Sequence, residues 1–408
     1  MGHVQDTWFR TVTNAATGAE VREKTARYGR GQRYRVRYLD PEGNERSKSF
    51  PDRQKKVAED FLLSTENDKR RGTYVDPNAG AVSFRAYSAS WLASQTFEES
   101  TREAVAFRLK KHILPHLGGL RLAGLTPTHI RSWDREMQKL GLAASYRQVM
   151  FIHVQAILNA AVDDEKIRKN PCNAASVRKP QIPSRKVAPW PMEWVHAVHD
   201  ALSPRYRITV PLGAGVGLRQ GEVFGLAVDD VDFLGKTVHV IRQVKIVGQR
   251  PCFGPPKRGK VRDVPLPGSV ALALAQHIER FPPAVITLPW KEPNGERVTA
   301  KLVVSTRDRT PAWRPVFNQW TWKPALHRAG VASSRDNGFH ALRHFYASML
   351  LDAGETVTAL AAYLGHADPG FTLRVYTHLM PSSEERTRRA VDSVFGPAAS
   401  SSDGMTTA

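Results

Sequence analysis

The sequence predicts a multi-domain α+β chain: a small N-terminal three-stranded sheet plus one helix, an all-helical domain, and a larger, mostly α domain with a small β-sheet. Three observations predict it. Aromatic or aliphatic side chains alternate with arginine over residues 31–39, which is a strand pattern. Apolar residues recur at helical spacing from 82 to 179. The stretch Lys179–Pro191, with Pro180, Pro183, Pro189 and Pro191, then precedes a segment where helix and strand patterns mix. With 408 residues, the chain has material for two to three buried cores.

The elements follow in order. Tyr34–Leu39 runs into the turn Asp40-Pro41-Glu42-Gly43-Asn44, and Glu45–Phe50 reads as the returning strand. Because strand side chains alternate, Arg33, Arg35 and Arg37 fall on one face. That face reads equally as a solvated hairpin surface or as one that lies in a DNA groove. A helix is expected from Asp52 through Val57, Phe61 and Leu62 towards Arg71, with Gly72 ending it.

In the helical segment, Ser83–Ser94 carries Phe84, Tyr87, Trp91 and Leu92 on one side. A second helix starts near Ser100 and carries Val105, Leu109 and Ile113 before Pro115. Thr126-Pro127 is an N-cap followed by a first-turn proline, opening a helix to about Lys139. Val149, Ile152, Ala156 and Ala160 mark a fourth apolar face, which Asn170-Pro171 stops. The extended linker holds Arg185 and Lys186, two more candidate DNA contacts. Beyond it, Trp190–Leu226 reads as helical, and Thr237–Val244 and Val261–Leu266 read as strands. The remainder to Phe395 reads as largely helical around an irregular Pro-rich insert near 281–315, before a disordered tail at 397–408.

Charge narrows the partners. Lys plus Arg number 59 against 39 Asp plus Glu, for a formal charge of +20. The excess is +4 over residues 1–80, +8 over 81–185 and +8 over 186–408, so no single tail holds it. Nucleic acid is the partner that this spread favours. Two cysteines exclude a disulfide framework and a zinc site. No signal-peptide core or membrane span is read, so a cytoplasmic, nucleoid-associated location is expected.

Five islands carry the chemistry: Gly217-Leu218-Arg219-Gln220-Gly221-Glu222; Pro256-Lys257-Arg258-Gly259-Lys260-Val261-Arg262-Asp263-Val264-Pro265-Leu266; His340-Ala341-Leu342-Arg343-His344; Leu364-Gly365-His366; and Arg374-Val375-Tyr376-Thr377-His378. The order Arg219, Lys257, His340, Arg343, His366, Tyr376 resembles the tyrosine recombinase (phage integrase) family, in particular site-specific integrases of actinobacterial phages and integrative elements. The eight-residue step from Lys257 to Pro265 suits that family's β-hairpin lysine. The resemblance implies an arm-type DNA-binding domain at 1–75, a helical core-binding (SAM-like) domain at 80–180 and a catalytic domain at 187–396. It also implies cleavage and rejoining of DNA through a 3′-phosphotyrosine, with no metal and no cofactor. The implied partners are double-stranded attachment sites, a homotetramer on DNA, an excisionase and a host DNA-bending protein.

These residue types make chemical sense on their own. About 0.1% of an ordinary tyrosine is phenolate at pH 7, so Tyr376 needs neighbouring cations and imidazoles to act as nucleophile. Two arginines grip the non-bridging oxygens of one phosphate and bear its growing charge. Lys257, on a mobile turn, is the candidate acid for the leaving 5′ oxygen. His340 is expected to assist the phosphate or the tyrosine proton, and His366 to hydrogen-bond the phosphate. Glu222 is expected to orient a cation. His344 and His378 read as packing residues, and Asp229, Asp230 and Asp232 as turn residues rather than metal ligands. Two alternatives stand beside the recombinase: a type IB topoisomerase-like enzyme, disfavoured by the arm-like N-terminus, and a non-catalytic DNA-binding regulator, disfavoured by the complete residue set.

Overall fold

The computed structural model describes residues 2–13, 19–72, 74, 76, 79–183, 188–366, 368–376, 388, 391, 392 and 394. Arg185, Lys186, His378 and most of the C-terminal segment lie outside the described residues. Contacts divide the chain into two units, Met1–Phe97 with Ala104–Pro183 and Glu98–Glu103 with Ser184–Ala408.

The first unit has two apolar cores. In the N-terminal one, alternation puts Tyr34, Val36 and Tyr38 on the inner side of the strand Tyr34–Leu39, against Phe50, Ala58 and Tyr74. That strand is central, antiparallel to Glu45–Phe50 on one side and His3–Asp6 on the other. The Asp40 carboxylate accepts from the Asn44 N–H at 2.7 Å, and Gly43 supplies the positive φ of the turn. Lys55–Arg70 covers the inner face. A further hairpin, Phe9–Thr13 with Glu20–Lys24, was not expected; its exposed, charged strands carry almost no apolar alternation to reveal it.

The helical core is built on Phe84–Ser94, Glu99–Arg108, Pro127–Lys139 and Ala144–Asp163. Ser83 caps the first of these by accepting from Ala86 N–H at 3.2 Å. The expected second helix is interrupted by a π turn at Leu109–Ile113 before Leu114–Leu117. Pro115 has no N–H to continue the ladder, and the His112 carbonyl accepts from Trp133 Nε1 at 2.9 Å. The fourth helix corrects the sequence reading. Met150, Phe151, Val154, Ile157, Leu158 and Ala161 are buried, whereas Val149 and Ile152 are 36% and 42% exposed. Val149–Ile152 is a continuous apolar run, so spacing alone does not select its buried side. This helix ends at Asp163, and Asn170-Pro171 opens a short 3₁₀ turn rather than stopping it.

In the second unit, the region read as one helical stretch is broken into Met192–Ala201, Pro204–Arg207, Thr209–Ala214 and Gln220–Gly225. Pro204 and Pro211 lack donors, and Gly217 takes a positive φ, so a continuous helix is impossible there. A three-stranded sheet runs Arg262–Pro265, Thr237–Val240, Val231–Asp232. The strand expected to reach Val244 ends at Val240, and Gln243–Val247 forms a separate hairpin with Arg250–Gly254. The insert read as irregular contains another hairpin, Ala284–Pro289 with Arg297–Leu302. Among the described residues, no helix is long and apolar enough to cross a membrane.

Candidate active site

Four local structures deliver the site. Arg219 has extended backbone at the start of Gln220–Gly225, and its N–H donates to Glu222 Oε2 at 2.8 Å, closing the helix N-terminus. The sequence reading put the pair on one helical face; Arg219 instead stands just ahead of the helix. His340, Arg343 and His344 belong to His340–Asp352. Val357–Leu364 ends at Gly365, whose φ of 60° turns the chain to His366. Pro369–Tyr376 carries the tyrosine at its end.

The two arginines meet on one atom. Arg219 Nη2 donates to the Leu364 carbonyl at 3.1 Å, and Arg343 Nη2 donates to the same oxygen. Arg343 Nη1 donates to the Gly217 carbonyl at 2.7 Å. Because Arg343 is 1% exposed, burial lowers its pKa to about 9, with Arg219 adding to the effect; it stays charged at neutral pH.

Glu222 is the counterweight. It accepts from Arg219 Nη1 at 2.8 Å and from Arg262 Nη1 and Nη2 at 3.0 and 2.7 Å. Arg262 Nε donates to the Tyr363 carbonyl at 2.7 Å. Burial alone would raise the carboxyl's pKa, but Arg262, Arg219 and Arg343 hold it at about 2. Three guanidiniums and one carboxylate leave a net charge of +2.

The histidines are neutral. Burial, with Arg343 beside it, lowers His344 to about 4, and burial with Arg343, Arg219 and Arg262 lowers His366 to about 4. His366 Nε2 stands 3.3 Å from Arg343 Nη2, and its Nδ1 stands 2.7 Å from Thr372 Oγ1. With Nε2 accepting from Arg343, the ring hydrogen sits on Nδ1, so His366 serves here as a partner of Arg343. His340 stands at the wall of a cleft of about 1230 Å³, which Arg219, Gln243, Arg314, Asn318 and His344 also line. Tyr376 is 2% exposed, and its hydroxyl lies 2.7 Å from His344 Nδ1. Burial raises the phenol's pKa to about 12, against a smaller opposite pull from Arg343 and Arg219.

Of the expected residues, Arg219, Glu222, Arg343 and His366 share one hydrogen-bonded network, while Tyr376 is held separately by His344. Lys257 joins neither. It lies on an exposed turn between Arg250–Gly254 and Arg262–Pro265, and Lys260 of that turn reaches the His366 carbonyl, at 3.4 Å. Asp230 is held by Arg242 at 2.6 Å and by the Ala227 N–H, and Asp232 caps Gly235. The N-terminal arginines divide. Arg33 precedes the strand and is bound by Asp6, with Nη2 at 3.1 Å, and by Asp52, with Nη1 at 2.9 Å, so it does not offer a free charge. Arg35 and Arg37 share the outer face with Gln5, His3, Ser49 and Ser47, and Arg37 pairs with Glu45 at 3.0 Å.

Sequence reasoning missed Arg262, Thr372 and His344. For His344 a signal was present: it stands four residues after His340, so both imidazoles fall on one helical face, with ring centroids 4.6 Å apart. For Arg262, nothing local distinguishes it from its basic neighbours.

Comparison with known proteins bears on the family. The Phage integrase family matches residues 192–383, and the Phage integrase, N-terminal SAM-like domain matches 83–138, together more than half of the chain. A tyrosine recombinase XerC-like protein of Caldanaerobacter subterraneus subsp. tengcongensis is 26% identical over 381 residues, covering 87% of this chain and 94% of that protein. The integrase of Mycobacterium phage D29 is 27% identical, covering 76% of this chain and 79% of its own. Among solved structures, the Tn1549 transposon integrase in complex with transposon right end DNA has a TM-score of 0.62 at 19% identity, covering 78% of this chain and 100% of that one. A lambda integrase dimer bound to a COC′ core site has a TM-score of 0.57 at 16% identity, covering 84% and 91%. The chain belongs to the tyrosine recombinase (phage integrase) family and is a site-specific DNA recombinase.

Proposed function

We propose that Tyr376 attacks a DNA backbone phosphate, leaving a 3′-phosphotyrosine and a free 5′ hydroxyl, and that rejoining to a different 5′ end integrates or excises a phage or mobile element at its attachment sites. The observation that carries this reading is the convergence of Arg219 and Arg343 on the Leu364 carbonyl, beside the helix that ends in Tyr376. A phosphodiester carries one negative charge and its five-coordinate transition state carries more, so a fixed charge of +2 favours the transition state. Lys257 supplies the proton to the leaving 5′ oxygen from its exposed turn, which closes on bound DNA. The covalent link preserves the phosphodiester energy, so neither metal nor ATP is needed.

Residues 1–75 serve as an arm-type domain that reads a second site on the element's own DNA, through the face of Arg35 and Arg37. Residues 80–180 and 187–396 grip the crossover site, and four copies assemble on it. An excisionase and a host DNA-bending protein set the direction, in a cytoplasmic, nucleoid-associated protein.

The test is adduct trapping on nicked duplexes. Tyr376→Phe binds DNA as the parent does and forms no covalent adduct. A persisting adduct overturns the assignment. A chain lacking residues 1–75 still cleaves a short crossover duplex but fails to integrate between full-length sites; integration at the parent's level overturns the arm reading.

A further inference from the structure

The tyrosine's hydrogen bond points to a proton route that the sequence pattern does not assign. We propose that His344, rather than His340, accepts the Tyr376 proton as its oxygen attacks phosphorus. The inference rests on Tyr376 being the nucleophile.

Geometry carries it. His340 and His344 project from the same side of one helix, yet the Tyr376 hydroxyl stands 2.7 Å from His344 Nδ1. Among the described residues, no other side chain hydrogen-bonds that hydroxyl. His344 also lines the cleft beside Arg219 and His340, whereas Tyr376 is buried behind it. It therefore touches the nucleophilic oxygen and borders the space where a backbone phosphate fits.

Protonation states set the direction of the bond. The phenol is protonated and the imidazole neutral at pH 7, so the O–H donates to Nδ1 and Nε2 carries the ring hydrogen. At rest the proton stays on oxygen. Two changes move it: bonding to phosphorus removes the oxygen's basicity, and the charge growing on the phosphate beside Arg343 favours an imidazolium.

The step balances. The Tyr376 Oη–P bond forms, the P–O5′ bond breaks, the phenol proton passes to His344 Nδ1, and O5′ takes a proton from the acid opposite, Lys257. In rejoining, a 5′ hydroxyl attacks phosphorus and gives its proton to Lys257. The tyrosine oxygen leaves and recovers its own proton from His344.

Single-turnover cleavage of a nicked trapping duplex by the full chain tests this. Asn at 344 places an acceptor where Nδ1 stood but takes no proton. His344→Asn and His344→Ala are each expected to bind the duplex with unchanged Kd and to cleave at least ~10²-fold more slowly. Both remain slow on a duplex with a 5′-bridging sulfur, because the missing group serves the nucleophile; Lys257→Ala recovers on it. His344→Asn at the parent's rate overturns the inference, since a hydrogen-bond acceptor then suffices. His344→Ala faster than the parent also overturns it, by making His344 a restraint on the tyrosine. Either result leaves the nucleophile reading intact, whereas an adduct in Tyr376→Phe overturns both.

Discussion

Two groups of arginines in this molecule were equally basic in the sequence and are opposite in the structure. At the candidate active site, Arg343 donates to the main-chain carbonyls of Gly217 and Leu364, and Arg219 shares Leu364. A carbonyl satisfies a guanidinium without cancelling its charge, and Glu222, which binds Arg219 and Arg262, cancels only one of the cluster's three. In the N-terminal sheet, Arg33 donates to the carboxylates of Asp6 and Asp52, which do cancel it. The partner's chemistry, not the count of basic residues, decides whether an arginine is available to a phosphate.

The widest break in that comparison comes from removing the site's charges. Arg219→Ala and Arg343→Ala are each expected to slow cleavage by at least ~10²-fold, read as single-turnover adduct formation, with DNA binding changed far less. Rates within a few-fold of the parent would mean that the carbonyl-held charge is not used.

Glu222 tests the cancelled charge. Glu222→Gln leaves Arg262 buried without its anion and is expected to cost about 3–5 kcal/mol, seen as a lowered denaturation midpoint. The carboxyl's pKa is about 2 when folded against an ordinary 4.5, so its stabilisation is fully present above pH 4.5 and is lost as pH falls towards 2. At about 1.4 kcal/mol per pH unit, that is roughly 3 kcal/mol. The parent should lose midpoint between pH 5 and 3 more steeply than Glu222→Gln; parallel curves would sink this.

Lys257→Ala is expected to be slow on ordinary DNA and to regain most of its rate with a 5′-bridging sulfur, whose departure needs no acid. If the sulfur gives no recovery, Lys260, already at the His366 carbonyl, becomes the residue to examine. The smallest effects belong to the sheet. Arg35→Ala should weaken second-site binding with a salt slope shallower by about one. Arg33→Ala should leave that slope unchanged and lower the thermal midpoint slightly, because its bonds are internal. Equal slopes for the two variants would erase the distinction.

The candidate site residues were readable because their types and order resemble those of a known family, and helix signals such as Thr126-Pro127 and Gly365 act over a few residues. What escaped depends on distant partners. Arg33 meets Asp6 and Asp52 from 27 and 19 residues away. The hairpin Ala284–Pro289 with Arg297–Leu302 lay hidden among prolines. The buried side of Ala144–Asp163 is chosen by neighbouring helices, since its own sequence is apolar nearly all round. His344 was read as packing because an imidazole's role is fixed by the atom it touches.

The shared Leu364 oxygen makes the two arginines non-additive. Removing either guanidinium releases an acceptor that the survivor, anchored by Gly217 or by Glu222, can then hold alone, so each single variant measures a rearranged partner as well as a missing one. Substitution at Gly365 would reach the cluster through its third guanidinium: the φ of 60° disfavours a side chain, and an added Cβ would meet Arg262 Cδ at 3.0 Å. In a double-mutant cycle the pair of arginines is therefore expected to show a coupling energy, the double variant losing less than the two single losses summed.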